Sequence, residues 1–384
     1  MALITLESGC NILIDCNIRE SSDEVRDVAE DLRKKLKVDS EGRPYVDVFL
    51  LSHPDQDHCR GLQKHFHLAP LSEYKKPETS EDGDADDTAP KIVIREMWSS
   101  PMVFRRASKL HTLCDDAKAW NAEARRRVKH FRDNKGAEQG DRILVLGEDE
   151  NGKTDDIEGI LVKVGEFVTQ ANGKAEATLK ALLLAPNPKG DDKDEELRAK
   201  NQSSVIMQFS IACNGVPDAC LFLTGGDAEV KIWERIWAAH EKNPSVLKYD
   251  LMLTPHHCSW HSLSYDSWSE LGEKAKVSEN ARKALGQARD GAFIIASSKV
   301  ISDKDSDPPC ARAETEYRAI AKEAKGEFFN TASYPAVDKV APIVFEVTAE
   351  GPLLSKPKVS TSSSGGGTSS GHGSAIGRQP LMHG

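Results

Sequence analysis

The beginning of the chain alternates short apolar runs with polar turns. The stretch ALITLESGCNILIDCN (2–17) predicts two short strands joined by a tight turn. Between residues 21 and 38, apolar side chains recur at helical spacing, and Ser21 followed by Glu24 has the signature of a capping box. The run VDVFLLS (46–52) predicts a further strand. This order of strand, helix and strand is typical of open α/β sheets.

The second half of the chain is dominated by apolar runs of strand length. Helices are predicted there at 228–240, near 265–287 and at 311–324. The predicted strands are 141–148, 157–167, 179–186, 201–213, 219–226, 249–257, 291–298 and 342–348. This mixture of strands and helices predicts an α/β fold.

Two segments differ in character from the rest. Residues 70 to about 140 have the composition of an insertion, with an acidic loop, a strand at 91–98 and a basic helical stretch at 104–135. The Ser/Gly-rich tail at 355–384 has too few apolar residues to offset its ordering entropy, which predicts disorder. We therefore predict one domain at 1–354 that carries the insertion, followed by the tail.

Composition narrows the protein class. A chain of 384 residues with 39% hydrophobic content can bury a large core, and its formal net charge of −10 disfavours non-specific binding of nucleic acid by the whole surface. No apolar stretch reaches the roughly 18 residues of a membrane span, and the first residues lack the pattern of a secretory signal. Eight widely spaced cysteines favour reduced thiols. These features predict a cytoplasmic protein without a membrane segment.

Metal-capable side chains follow three of the predicted strands. They are His53, Asp55, Asp57 and His58 after the strand at 46–52, Asp227 after the strand at 219–226, and His256 with His257 at the end of the strand at 249–257. Because neighbouring strands of one sheet end at the same edge, we expect these side chains to meet there. Converging carboxylates and imidazoles hold the divalent metals of hydrolases. The alternative is three separate polar loops whose histidines are satisfied by hydrogen bonds.

Taken together, these motifs resemble the metallo-β-lactamase-fold hydrolases, and most closely their ComEC-type branch of competence proteins. The matching segments, in the family's order, are ILID (12–15), LSHPDQDHCRGL (51–62), NQSSVIMQFS (201–210), FLTGGDAE (222–229) and TPHHCSWHS (254–262). The resemblance spans most of residues 1–350. It implies an αββα sandwich, in which two mixed sheets are flanked by helices.

The resemblance also implies a ligand set for one or two ions. His53 and Asp55 would face a first metal, Asp57 and His58 a second, Asp227 would bridge the two, and His256 or His257 would complete the second site. Asp55 stands where most of the wider fold has histidine. An oxygen ligand makes the site harder, so that Mn²⁺ becomes an alternative to Zn²⁺.

The chain departs from the family's pattern at three places. Cys258 replaces the usual glycine after the late histidine pair, Arg60 replaces the first glycine of a Gly-Gly pair, and a further glycine, Gly226, precedes Asp227. The histidine that binds the first metal in the wider fold has no clear counterpart, which predicts weak or absent binding of that ion. The candidates for it, His65, His67, His111 and His130, are all expected to be surface or helix residues.

This centre predicts a metal-dependent hydrolase that uses a metal-activated water, with Asp57 and Asp227 as its catalytic carboxylates. ComEC-type domains resemble nucleases and phosphodiesterases, which favours a nucleic acid or nucleotide substrate. Arg125 and Arg126, within the basic stretch, could form a phosphate-binding face, or simply belong to a solvated amphipathic helix.

The residues Asn201, Ser203 and Ser204 could support Asp227 or contact the substrate, or could cap the loop before their strand. Two other functions stay open. The centre could hydrolyse a carboxyl derivative such as an ester, thioester, lactam or peptide conjugate. Alternatively, the protein could be a metal-bound interaction protein of a multi-protein system, with the insertion or the tail as its docking element.

Overall fold

The computed structural model describes residues 1–20, 22, 26–76, 89–101, 113–148, 152–187, 203–302 and 307–356. The strands of this part of the chain are β1 (Ala2–Thr5), β2 (Asn11–Ile14), β3 (Cys16–Asn17), β4 (Lys37–Val38), β5 (Pro44–Leu51), β6 (Phe66–His67), β7 (Ile92–Ser99), β8 (Arg142–Leu146), β9 (Leu161–Val162), β10 (Phe167–Val168), β11 (Gln170–Ala171), β12 (Lys174–Ala175), β13 (Leu179–Ala185), β14 (Ile206–Cys213), β15 (Val216–Leu223), β16 (Tyr249–Leu253), β17 (Ala288–Ala296), β18 (Glu327–Asn330), β19 (Phe345–Thr348) and β20 (Gly351–Leu354).

The described helices lie between these strands. They are α1 (Val28–Lys35), α2 (Gln56–Cys59), α3 (Leu62–His65), α4 (Asp115–Asn134), α5 (Val230–His240), α6 (Trp268–Leu271), α7 (Glu279–Leu285) and α8 (Ala311–Glu323). Short 3-10 turns cover Leu71–Glu73, Glu158–Ile160, Pro244–Leu247, Pro255–His257, Trp260–Ser262 and Gly272–Lys274. The predicted helix near 265–287 is therefore wrong as a continuous element, because non-helical residues separate α6 from α7.

Most of the strands belong to two large sheets. The first sheet has the order β1-β2-β5-β7-β8-β9, with β4 beside β5 and β6 beside β7. The second has the order β10-β13-β14-β15-β16-β17-β18. Both sheets are mixed, since β1 and β2 are antiparallel whereas β2 and β5 are parallel, and β14 and β15 are antiparallel whereas β15 and β16 are parallel. An α/β fold with two mixed sheets is thus confirmed.

The core joins the two sheets. One buried cluster contains Phe49 and Trp98 of the first sheet together with Met207 and Phe209 of the second. The same cluster takes in Trp120 from α4. Removing this much apolar surface from water, at about 25 cal/mol per Å², is the main force that holds the sheets together.

A second buried cluster covers the other face of the second sheet. Trp233 of α5 and Tyr317 of α8 pack there with Ile294 of β17. The second sheet therefore lies between the first sheet on one face and helices on the other. This layering is compatible with an α/β sandwich.

Part of the predicted insertion is built into the first sheet. β7 pairs in parallel with β5 on one side and with β8 on the other, and α4 buries Trp120 in the main core. Residues 77–88 and 102–112 of this segment, and the tail from residue 357, lie outside the described residues. The domain bounds 1–354 and 355–384 remain a prediction.

None of the described helices combines the length and the apolar character that a membrane crossing requires.

The start of α1 differs from the predicted capping box. Ser21 and Glu24 lie outside the described residues, and the helix begins at Val28 behind Asp27. The carboxylate of Asp27 accepts a hydrogen bond from the backbone N–H of Glu30 at 2.8 Å. Asp27 is therefore the N-cap of α1.

We expect Asp27→Ala to lower the free energy of unfolding by about 1 kcal/mol, because the amide of Glu30 loses its acceptor. Urea denaturation followed by circular dichroism measures the change. Asp27→Asn is the matched control, since its side-chain oxygen can still cap the helix. Equal stability of the alanine variant and the wild type would show that this cap does not contribute.

Candidate metal centre

Three segments that are distant in sequence meet at one point. β5 ends at Leu51 and leads into α2, which carries Asp57 and His58. Asp227 follows the end of β15, and the 3-10 turn Pro255–His257 follows the end of β16. One ligand atom each of Asp57, His58, Asp227 and His257 lies within 4.8 Å of all the others. The expected convergence is confirmed for these four residues.

The expectation of a single sheet edge is wrong. β5 belongs to the first sheet, whereas β15 and β16 are neighbours in the second. The backbone N–H of Val205, just before β14, donates to the carbonyl of Ser52, just after β5, at 2.8 Å. This hydrogen bond joins the two sheets where β5 ends, so the centre lies between the edges of two sheets.

The first oxygen of Asp227 serves one group of ligands. Its Oδ1 lies 2.7 Å from Nε2 of His58 and 3.8 Å from Nε2 of His257. Nε2 of His257 also lies 3.0 Å from Oδ2 of Asp57. Two imidazoles and two carboxylates thus surround one small volume.

The second oxygen of Asp227 faces a different group. Its Oδ2 lies 3.9 Å from Nε2 of His53 and 3.9 Å from Nε2 of His256. Nε2 of His53 is in turn 3.1 Å from Oδ2 of Asp55. The two late histidines are therefore divided: His257 lies beside Asp57, whereas His256 faces the same oxygen of Asp227 as His53 does.

Mutual pairing sets the charges in the centre. Burial opposes the charged form of His58, but the carboxylates of Asp227 and Asp15 outweigh it and raise the pKa of His58 well above its usual value. Burial likewise opposes ionisation of Asp227, yet His58, His53 and His256 lower the pKa of Asp227. A proton on His58 thus compensates the negative charge of the buried Asp227 carboxylate.

Hydrogen-bond partners fix the rings of His58 and His257. Nδ1 of His58 donates to Oδ2 of Asp15 at 2.9 Å, and Nδ1 of His257 donates to the carbonyl of Ser297 at 2.7 Å. Each bond turns Nε2 of the same ring towards Asp227. A carboxylate or carbonyl behind a histidine is the usual arrangement that holds metal-binding imidazoles in place.

Asp15 is the residue that the sequence analysis missed as part of the centre. It follows β2, which pairs in parallel with β5, and its carboxylate also accepts from the backbone N–H and the hydroxyl of Ser52. Its backbone is left-handed, with φ 54°. A carboxylate at the end of a buried strand was the available signal, but only the pairing of β2 with β5 places it behind His58.

The donor atoms fit a divalent cation. Imidazole nitrogens and carboxylate oxygens are the ligands that Zn²⁺ and Mn²⁺ accept. Nε2 of His257 is buried and makes no hydrogen bond of good geometry to any described residue, although it lies against Asp57 and Asp227. A buried ring nitrogen without a hydrogen bond, set against two carboxylates, is costly unless a cation completes the group. The cluster could therefore hold a metal ion.

Access to the centre is uneven. The side chain of His53 is fully buried and that of Asp227 is 4% exposed, whereas those of Asp55 and Asp57 are 28% and 42% exposed. Solvent and any substrate reach the centre from the side of Asp55 and Asp57.

The backbone after β16 is strained. His256, His257 and Cys258 all have left-handed conformations, with φ of 47°, 53° and 72°. Non-glycine residues rarely adopt this region, and such strain persists where surrounding contacts enforce it. Cys258 thus stands at a position that favours glycine. The second departure is milder, because Arg60 has an ordinary φ of −58° while the retained Gly61 has φ of 84°.

The other candidate residues have varied surroundings. Ser204 is buried, and its hydroxyl accepts a hydrogen bond from the backbone N–H of Asp227 at 3.0 Å. Ser203 is buried as well, and Asn201 lies outside the described residues. Ser204 thus supports the backbone that presents Asp227. A substrate contact for any of the three remains a prediction.

The predicted basic face lies on α4. Arg125 is exposed, whereas Arg126 is half-buried and its guanidinium pairs with Glu123 and Asp141, both at 2.7 Å. Arg127 is buried and pairs with Glu123 at 2.7 Å. Acidic neighbours thus offset much of this helix's positive charge. Phosphate binding by Arg125 and Arg126 remains a prediction.

Two of the four histidines considered for the first metal have other partners. The ring of His65 lies 3.0 Å from the Arg33 guanidinium, and Nε2 of His67 donates to the carbonyl of Pro70 at 3.0 Å. Both are buried; His65 is a residue of helix α3, as expected, whereas His67 belongs to strand β6, contrary to the expectation. His111 lies outside the described residues, and His130 is on α4. Among these candidate residues and the late pair, His256 is the imidazole that shares an Asp227 oxygen with His53.

The sequence matches no model of a known protein family and no curated protein.

We expect Asp15→Asn to weaken binding of Mn²⁺ or Zn²⁺ by about 10- to 100-fold, because Asn removes the carboxylate that holds the ring of His58. Isothermal titration calorimetry measures the dissociation constant.

The matched control is Asp47→Asn. Asp47 is also a buried carboxylate, but it lies near the start of β5 and bonds to Asn11 and Arg95, at the end of the strand away from the centre. This variant should bind metal like the wild type. Equal loss of affinity in both variants would mean that Asp15 acts only through general stability.

Proposed function

We propose that the protein is a metal-dependent hydrolase, and most specifically a phosphodiesterase or nuclease. The single observation that carries this proposal is the position of Asp227, whose two oxygens face two separate groups of histidine and aspartate. A buried carboxylate shared in this way is the arrangement that two-metal hydrolases use.

The fold supports a relation to the metallo-β-lactamase-fold hydrolases and their ComEC-type branch. Two mixed sheets share one core, helices cover the second sheet, and the ligand segments follow β5, β15 and β16. These features agree with the αββα sandwich that the sequence motifs imply. The family assignment is part of the proposal.

The centre would hold two ions, either Zn²⁺ or Mn²⁺. Asp57, His58 and His257 would hold one ion together with Asp227. The other ion would share Asp227 and take a second group of ligands. That second group is His53, Asp55 and His256. Bound divalent ions supply Lewis acidity and activate water for attack on an electrophile.

The chain's own groups prepare the site for this chemistry. Burial works against ionisation of Asp57, but His257 and His58 keep the pKa of Asp57 below its usual value. Asp57 is therefore a carboxylate at the open side of the centre, where it can orient a water molecule and hold its proton. The buried histidines exclude bulk water from the opposite side.

A second candidate function is hydrolysis of a carboxyl derivative. The observation that favours it is the pairing of Arg126 and Arg127 with acidic side chains, which leaves less positive charge on α4 for a phosphate. The same activated water would attack a carbonyl carbon. A role as a metal-bound interaction protein would leave the centre without turnover.

The test is hydrolysis by the purified protein with Mn²⁺ or Zn²⁺. Single-stranded DNA, RNA and cyclic dinucleotides represent phosphodiesters, and p-nitrophenyl acetate with a thioester represents carboxyl derivatives. We expect turnover of a phosphodiester and a loss of roughly 1,000-fold in Asp57→Ala and Asp227→Ala, since each removes several kcal/mol of transition-state stabilisation. Asp47→Asn serves as the folded control. Equal rates in wild type and both alanine variants would refute the hydrolase proposal, and turnover of the carbonyl substrates alone would favour the second function.

The number of ions has its own test. In His256→Ala, the ligands around Asp57 are complete, so we expect the bound metal to fall from two ions per chain to one. In His257→Ala the group around Asp57 loses an imidazole, and the retained ion should sit beside His53. Elemental analysis after dialysis gives the ratio, and manganese electron paramagnetic resonance separates a coupled pair from a single ion. One ion in the wild type that His256→Ala does not remove would contradict the two-ion proposal.

A further inference from the structure

Two cysteine sulfurs lie close together at the base of the metal centre. Sγ of Cys59 is 3.7 Å from Sγ of Cys114, although the residues are 55 positions apart in sequence. Cys59 directly follows His58 and ends α2, and Cys114 is the N-cap residue of α4. The two sulfurs therefore lie where the end of α2, which carries Asp57 and His58, contacts the start of α4.

The two thiols differ in access. All eight cysteines are described, none of them forms a disulfide, and six of them are buried. Cys114 and Cys10 are the two that are partly exposed, whereas Cys59 is fully buried. A small oxidant in solution would reach Cys114 directly and would reach Cys59 only through it.

We propose that Cys59 and Cys114 are an oxidant-modified dithiol that closes to a disulfide with hydrogen peroxide. The sulfur of Cys114 attacks one peroxide oxygen, the O–O bond breaks, and Cys114 becomes a sulfenic acid with release of water. The sulfur of Cys59 then attacks Sγ of Cys114, the S–O bond breaks, and the proton of Cys59 leaves with the hydroxide as a second water. Two thiols lose two electrons, and one peroxide is reduced to two waters.

The local contacts connect this step to the centre. The thiol of Cys59 donates to the carbonyl of Asp55 at 3.0 Å, and the sulfur of Cys114 accepts from the backbone N–H of Ala117 at 3.4 Å. A disulfide needs the sulfurs about 2.05 Å apart, so both must move, and Cys59 loses the proton that it shares with Asp55. The oxidised form would thus tether α2 to α4 and release a hydrogen bond of the ligand loop. The disulfide itself does not require the proposed hydrolase activity.

The competing thiol is Cys16. Its residue pairs with Cys59 in a parallel bridge, but its sulfur is buried and donates to the carbonyl of Arg60 at 3.5 Å. Cys114 has its sulfur 3.7 Å from that of Cys59 and is partly exposed, and both features favour it as the partner of Cys59.

The test treats the reduced full-length chain with a small excess of hydrogen peroxide. Intact mass spectrometry should then find a loss of about 2 Da, the mass of two hydrogen atoms, which dithiothreitol reverses. Peptide mapping without reduction should identify one cross-link, between the peptides that contain Cys59 and Cys114. Cys114→Ser should abolish the mass loss, whereas Cys10→Ser, the matched change at the other partly exposed cysteine, should keep it.

Several results would overturn the proposal. A cross-link that involves Cys16 or Cys10, or addition of oxygen to Cys114 without any cross-link, would exclude this disulfide. Mapping of the wild type decides the matter even if Cys114→Ser does not fold. Because the readout is a covalent bond in the protein, it is independent of whether the hydrolase assay succeeds.

Discussion

The centre depends on the cost of burying the carboxylate of Asp227. An ionised carboxylate that is only 4% exposed is unfavourable unless positive charge or strong donors surround it. Imidazoles face both oxygens of Asp227. Two of them come from the segment after β5 and two from the turn after β16. Because these loops belong to different sheets, the compensation of one charge requires the two sheets to meet where their strands end.

The remaining polar structure of the site follows from that requirement. An imidazole can turn its Nε2 towards a carboxylate only in one orientation, and Asp15 and the carbonyl of Ser297 impose that orientation on His58 and His257. The left-handed backbone from His256 to Cys258 turns the two late rings to different oxygens. A cysteine tolerates this left-handed backbone poorly, and the strain persists because the buried core on either side holds the turn. Strained backbone of this kind is common at binding sites.

The sequence predicted those parts of the molecule that depend on local pattern. Apolar runs located β5, β7 and β15, and polar residues at strand ends identified seven side chains around the centre. It placed them on one sheet, because periodicity reports which face of a strand is buried and not which strands are neighbours. For the same reason, the sequence could not predict the role of Asp15 or the division of the two late histidines between the oxygens of Asp227. Both depend on contacts between residues far apart in the chain.

Charge offers the clearest case of tertiary structure overriding composition. The run of arginines on α4 suggested a phosphate-binding face, yet Arg127 is buried against Glu123 and bonds to the carbonyls of Ile94 and Arg142. The buried guanidinium donates to these backbone carbonyls and so stabilises the packing of α4 on the sheet. It is not accessible to a ligand. The exposed side of the centre carries negative charge instead, from the partly exposed carboxylates of Asp57 and Asp55. An anionic phosphodiester can approach that side only when cations offset these carboxylates, so in a phosphodiesterase built on this centre the bound ions would have to serve substrate binding as well as chemistry.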